Sequence, residues 1–194
     1  MPEKTVQKEP GKKPAPSKKP KPQQEVVVQI SLSELHPFPD HPFQVREDAS
    51  MQETAESVKE YGVLVPALAR PREDGGYELI AGHRRKHACE LAGLATMPVI
   101  VRDIDRDAAT IIMVDSNLQR ENILPSERAK AYKMKMEAIK RQGARTDLTS
   151  PKISAKFRSD DEVGQDAGVS GDTIRNYIAL TQLVPELQQM VDEK

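Results

Sequence analysis

Apolar residues recur on two different periods along this 194-residue chain, and the change of period near Asp105 restricts what it can fold into. Before that point, short β-branched or apolar runs alternate with glycine and proline. After it, apolar residues return at helical spacing. The first pattern suits a small mixed sheet with helices and the second a helical bundle. Trp is absent and aromatic residues make up 4%, so both cores must be built mainly from Leu, Ile, Val, Ala and Met.

Residues 25–30 predict a strand that leaves into the Pro-rich turn at His36-Pro37-Phe38-Pro39. Residues 51–61 predict a helix with Ala55 and Val58 inward, ended by Gly62, and residues 63–69 a buried strand. Asp74-Gly75-Gly76 forms a tight turn across which residues 77–81 pair back as a hairpin. Gly82 then opens a helix over 83–92, Gly93 closes it, and 97–101 is a further strand. Beyond Asp105, Ala108, Ile111, Ile112 and Leu118 mark one helix face. Ala129, Tyr132, Met136 and Ile139 mark another, on a helix started by Pro125-Ser126-Glu127. Residues 143–159 are polar and predict a loop, with helix from Asp160 to the end.

Charge is unevenly spread. Residues 1–24 hold seven Lys against Glu3 and Glu9, a net +5 in a chain whose total is −1, which leaves −6 on the rest. This Lys/Pro-rich tail has too little apolar surface to offset the entropy of ordering and predicts disorder. It serves as a solubilising leader or adds non-specific attraction to phosphates. Cys89 is the lone cysteine, and His36, His41 and His87 lack metal-ligand spacing, so neither a disulfide nor a zinc site is expected. No apolar run approaches a signal peptide or a membrane span, so a cytoplasmic protein is expected.

Two constellations carry chemistry. In the first, residues 78–85 run from a strand through Gly82 into a helix that begins His83-Arg84-Arg85. Unpaired N–H groups at a helix start attract anions, glycine lets a phosphate approach the main chain, and two arginines neutralise it. A second string, Ser116-Asn117-Leu118-Gln119-Arg120, adds polar reach from another helix end. The second constellation, within 160–181, has helix-turn-helix spacing. Val163 and Ala167 face inward, Gly168 makes the turn, Val169 fills the space between helices, Ser170 caps, and Ile174 and Ile178 return to the core. Ser170, Gly171, Thr173, Arg175 and Asn176 then point outward toward a DNA major groove, with Arg175 and Asn176 placed to read bases. Gly164 within the first helix is unexpected and costs ~0.5–1 kcal/mol relative to Ala.

These strings, in order, resemble the ParB/Noc family. Its Asn-Pro-X-Gln-Pro-Arg, Gly-Glu-Arg-Arg and Glu-Asn-X-Gln-Arg motifs correspond to His41-Pro42-Phe43-Gln44-Val45-Arg46, Gly82-His83-Arg84-Arg85 and Ser116-Asn117-Leu118-Gln119-Arg120. The resemblance implies an α+β protein. A small mixed α/β CTP-binding domain over 25–122 is followed by an all-α helix-turn-helix domain over 123–194. It implies CTP with its phosphates at Ala81, Gly82, His83, Arg84 and Arg85, Gln44 and Arg46 bordering base and sugar, and Asn117 and Arg120 near the triphosphate. Mg2+ would lie by Ser116 and Asn117. It further implies double-stranded DNA of a centromere-like site as ligand, a homodimeric clamp, a ParA-type ATPase partner, a nucleoid-associated location and a dimerisation domain beyond Lys194.

The departures are His83 for Glu and Ser116 for an acidic residue, so the slow CTPase activity implied by the family is expected to be slower still or its metal less well held. Two other functions fit the same residues: a transcription regulator whose first domain ignores nucleotide, and a small-molecule kinase. The Gly82-His83-Arg84 string also resembles the Cys-His-Arg of sulfiredoxin, but Gly82 stands where the reacting cysteine would be.

Overall fold

The computed structural model describes residues 25–120, 123–147 and 159–193; the predicted tail and most of the predicted 143–159 loop lie outside these residues. Five strands form one mixed sheet. Strand β1 (Val27–Ser31) runs antiparallel to β5 (Thr96–Val101), which is parallel to β3 (Ala67–Pro71). Strand β3 pairs antiparallel with β4 (Tyr77–Ala81), and β4 parallel with the short β2 (Leu35–Pro37), giving the order β1-β5-β3-β4-β2. Turn geometry sets the β3–β4 register: Gly75 and Gly76 both take positive φ, and Arg72 N donates to Gly76 O.

Strand β4 is buried on both faces, and this divides the core. Leu79 packs with Ala67, Ala69, Met97 and Val99 beneath α1 (Ala49–Tyr61) and α2 (His83–Leu91). Ile80 points the other way, to Phe38 and Phe43, to Ala109, Met113 and Val114 of α3 (Arg106–Leu118), and to Ala131 of α4 (Pro125–Asp147). Glu78, on the same face as Ile80 and 5% exposed, is paired with Arg70. Capping carboxylates fix two of the helix starts: Asp48 accepts from Met51 N and Asp105 from Ala108 N.

Helix α4 carries the chain into the second core. There Tyr132 meets Val163 of α5 (Ser159–Ala167) and Ile174 of α6 (Gly171–Leu180). Helix α7 (Pro185–Asp192) is tied back to the start of α4, where Asp192 accepts from Ser126 N and Oγ at 2.9 and 2.5 Å. Lys135 of α4 is 1% exposed, with its ammonium held by Asp115 of α3 and Asp166 of α5 at 2.6 and 2.9 Å. Burial works against its charge, but the two carboxylates outweigh burial and raise its pKa.

Several expectations are corrected. The 63–69 strand begins only at Ala67; Leu64 and Val65 are exposed, because Pro66 has no N–H for a ladder and the Val65 and Pro66 carbonyls are taken by Arg85. The inward face of α3 is Ala109, Thr110, Met113 and Val114, with Ala108, Ile111, Ile112 and Leu118 only partly buried. Helix α4 extends to Asp147, so residues 143–147 are helical; beyond the expected turn at Gly168, the helical stretch is interrupted a second time, between Leu180 and Pro185. Val169 is exposed, because its N–H turns in to the Gly164 carbonyl at 2.8 Å and its side chain is left outside.

Gly164 itself is explained. A Cβ there would lie 2.6 Å from the Val169 carbonyl oxygen, so the close turn requires glycine despite its helical cost. Cys89 is fully buried and its thiol is pushed up by that burial, as suits an inert core residue.

Candidate nucleotide and DNA sites

Gly82 forms the corner at which β4 becomes α2. Its φ of 112° is open to glycine alone, and a Cβ would stand 2.8 Å from the Ala67 Cβ on β3. The glycine thus serves sheet packing and a bare helix start at once. The first N–H groups of α2 have no acceptor within the helix.

A hollow of about 200 Å3 opens at this corner. Ala81, Gly82, His83, Arg84 and Arg85 form one wall, Ser116, Asn117 and Arg120 from the end of α3 a second, and His41, Phe43 and Val45 a third. A second hollow of about 620 Å3 adjoins it, sharing Arg84 and Arg120 and adding Gln44 and Arg46. All the residues proposed from sequence for nucleotide and metal therefore meet in one continuous cleft, although they come from three separate stretches of chain.

Their local roles differ. Arg84 lies 3.2 Å from Ser50 Oγ and 3.6 Å from Asp48, at the junction of the two hollows. Arg85 is committed to structure: its Nη1 donates to the Val65 and Pro66 carbonyls at 2.5 and 2.7 Å, and burial lowers its pKa. Arg120 Nη1 reaches Asn117 Oδ1 at 3.5 Å. Glu127, 7% exposed in the first turn of α4, accepts from Gln44 N at 3.0 Å and so anchors the loop that carries Gln44 and Arg46. Reading Glu127 only as a helix-start residue missed this task.

His41 was also missed, because its sequence neighbours offer no metal spacing. In space its ring lies 3.9 Å from that of His83, centroid to centroid, with Nδ1 2.7 Å from the Phe43 carbonyl oxygen. The Nε2 atoms of both rings are buried without a hydrogen-bond partner among the described residues. Burial above all, then His41, Lys86 and Arg120, hold the His83 pKa down to about 3; His41 is lowered too, again chiefly by burial. An ordinary imidazole titrates near 6.5. Between those values the unfolded chain binds more protons than the folded one, so the stability is fully present above 6.5 and is lost as pH falls, by at most ~1.4 kcal/mol per pH unit. Denaturant titrations at pH 7.5 and 5.5 are expected to show this loss, and His83→Gln to reduce it.

At the implied metal position the side chains offer Mg2+ neutral oxygens alone, the Ser116 hydroxyl and the Asn117 Oδ1. Ser116 Oγ donates to the Met113 carbonyl at 2.9 Å, and Asn117 Nδ2 donates to the same oxygen at 2.8 Å. No carboxylate lines the hollow at the Gly82 corner among the described residues. Mg2+ bound to a nucleotide usually takes one or two carboxylates beside phosphate oxygens.

The helix-turn-helix geometry is formed by α5, the Gly168 turn and α6. Ser170 Oγ caps α6 by accepting from Thr173 N at 3.2 Å. Ser170 and Asn176 are exposed and Thr173 is half-buried, but Gly171 is buried against Asp161, so it is not an outward contact as expected. Arg175 is partly exposed and ion-paired with both Asp160 and Asp172, which raises its pKa.

A family comparison decides the relationship. The ParB N-terminal domain pattern matches residues 16–118, just over half of the chain. The chain belongs to the ParB N-terminal domain family. This ParB-family chain is 35% identical over 167 residues to the chromosome-partitioning protein Spo0J of Thermus thermophilus, covering 86% of this chain and 55% of that protein. It spans about half the length of the curated relatives it matches. Among solved structures, the C-terminally truncated ParB of Caulobacter crescentus complexed to the centromeric parS site aligns at 27% identity and a TM-score of 0.54, covering 84% of this chain and 75% of that one. The same protein complexed with CTP-gamma-S aligns at 28% identity over 86% and 84% of the two chains, with a TM-score of 0.46. No helix among the described residues of this ParB-family chain is long and apolar enough to cross a membrane.

Proposed function

We propose that this chain is a sequence-specific DNA-binding protein of the partition type, in which a CTP-binding part over 25–122 governs a helix-turn-helix part over 123–194. The observation that carries this reading is the single cleft at the Gly82 corner, which gathers Arg84, Asn117, Arg120, Gln44 and Arg46 around a bare helix start. The α2 N–H groups and Gly82 receive phosphates, Arg84 and Arg120 neutralise them, and Gln44 and Arg46 border the base and sugar. Lys135 supports communication between the two parts, since it bonds Asp115, next to Ser116, and Asp166 in the first helix of the DNA-binding motif.

On this reading α6 enters the major groove of a centromere-like duplex. Asn176 reads a base edge directly, whereas Arg175 does so only after exchanging Asp160 and Asp172 for DNA. Two copies close as a clamp around DNA in the cytoplasm, at the nucleoid, in concert with a ParA-type ATPase. CTP turnover is slow or absent, because neither His83 nor Ser116 supplies a carboxylate.

Fluorescence anisotropy on a parS-type duplex, with and without CTP and against a scrambled duplex, tests this. Sequence-selective binding whose lifetime changes with CTP is expected. Selective binding that is indifferent to CTP would instead make the chain a nucleotide-independent regulator, and phosphoryl transfer to a small molecule with no DNA affinity would make it a kinase.

A further inference from the structure

The Gly82 corner of the cleft is rich in cations, and the carboxylates nearest it, Asp48 and Glu127, line the adjoining hollow. At the Gly82 corner its walls carry Arg84, Arg85 and Arg120, two histidines and no Asp or Glu among the described residues. Of the two residues implied for Mg2+, Ser116 offers a neutral hydroxyl that donates to Met113 O, and Asn117, whose Nδ2 donates to the same oxygen, turns its Oδ1 toward Arg120 at 3.5 Å. A polyphosphate entering here must find its remaining counter-charge in the protein.

The paired imidazoles, tilted 46° to each other, are placed to supply it. His41 presents Nδ1 to the Phe43 carbonyl, an acceptor, so its ring proton sits on Nδ1 and its buried Nε2 carries a lone pair. The buried Nε2 of His83 likewise lacks a partner. A lone pair facing a phosphate oxygen is repelled; the same nitrogen bearing a proton donates a charge-assisted hydrogen bond. The charged groups that act on the pair are Lys86 of α2, Arg120 beyond α3 and Glu127 of α4. Before a nucleotide binds, burial and the nearby cations outweigh the Phe43 carbonyl and Glu127 and lower the pKa of both rings. A triphosphate reverses that balance, because an opposite charge within about 4–6 Å favours the charged form.

We propose that the cleft takes its nucleoside triphosphate without a divalent cation, and that the His41–His83 pair gains a proton on binding and serves in place of the metal. The proton comes from solvent and settles on an imidazole Nε2, which then donates to a phosphate oxygen; no covalent bond is made or broken in the nucleotide. Two imidazolium rings at 3.9 Å would repel each other, so the pair takes up about one proton. This inference rests on the nucleotide-binding reading above.

The test is calorimetric titration of the full chain with CTP at pH 7.5, where the terminal phosphate is itself largely ionised. It is run in Mg2+ and in EDTA, in two buffers of different ionisation enthalpy. Affinity in EDTA within about threefold of that in Mg2+ is expected, with proton uptake and a Kd that rises by up to about tenfold per pH unit toward alkaline pH. His83→Gln should abolish most of the uptake, and His83→Glu should make binding depend on Mg2+. The wild-type comparison stands even where a variant folds poorly. CTP binding that requires Mg2+, or that proceeds in EDTA with no proton uptake, overturns the inference and leaves the nucleotide site intact. Failure to bind any nucleotide in either medium overturns the nucleotide-binding reading itself.

Discussion

Replacing Asp115 and Asp166 together by asparagine is expected to destabilise the protein by about 3–5 kcal/mol, far more than removing the lysine they share. Lys135 is 1% exposed, whereas the side chains of its partners are 44% and 58% exposed. Removing both carboxylates leaves a buried ammonium with only neutral amide oxygens as acceptors and no opposite charge. Lys135→Met leaves two carboxylates that water already reaches and keeps the volume of the stem, so it should cost less than about 1.5 kcal/mol. The imbalance follows from which partner is desolvated. Adding Lys135→Met to the double asparagine variant should restore most of the lost stability, and denaturant unfolding of the four proteins measures all of these quantities. Equal costs for the lysine and aspartate variants would show that the ammonium is not the buried member.

The second large effect is at the corner of the cleft. Gly82→Ala places a methyl group 2.8 Å from the Ala67 Cβ and forces an L residue to a φ of 112°. The strained backbone costs ~1–2 kcal/mol and the overpacking ~1–3, so a total of about 2–5 kcal/mol is expected. Relief by moving β3 would also shift the carbonyls of Val65 and Pro66 that hold Arg85, so nucleotide affinity should fall even in the fraction that remains folded. A control at Gly93, whose φ of 72° is also positive but where an added Cβ meets nothing within 4 Å, should show only the backbone part of the cost.

Much of this arrangement was legible in the residues. Gly62, the Gly75-Gly76 turn, Gly82 and Gly93 punctuate the first half because each has a backbone conformation open mainly to glycine, and that signal is local. The ordered strings at His41–Arg46, Gly82–Arg85 and Ser116–Arg120 likewise located the cleft. What was not legible depended on contacts between distant segments. The inward face of α3 is set by two neighbours at once, β4 and α4, so counting apolar residues alone selected Ile111 and Ile112 over Ala109 and Met113. The ring contact of His41 with His83 joins positions 42 apart, and nothing in either local sequence announces it. Lys135 has no sequence signal of its own, because its two carboxylate partners lie 20 and 31 residues away, on α3 and α5. Arg85, which lines the hollow, also braces the loop before β3 through Nη1, a task not legible in sequence because its acceptors are backbone carbonyls that carry no residue signature.

Whether the cleft at the Gly82 corner selects its nucleotide is read out by calorimetric titration of the wild-type chain and of Arg84→Ala with CTP, ATP, GTP and UTP, in Mg2+ and in EDTA. Arg84, like Arg120, borders both hollows, and it lies in the first turn of α2 at the Gly82 corner, so selective CTP binding should weaken at least tenfold, about 1.4 kcal/mol, in the variant. Binding of no nucleotide by the wild-type chain, or CTP binding that Arg84→Ala leaves unchanged, would contradict a selective nucleotide site at this corner.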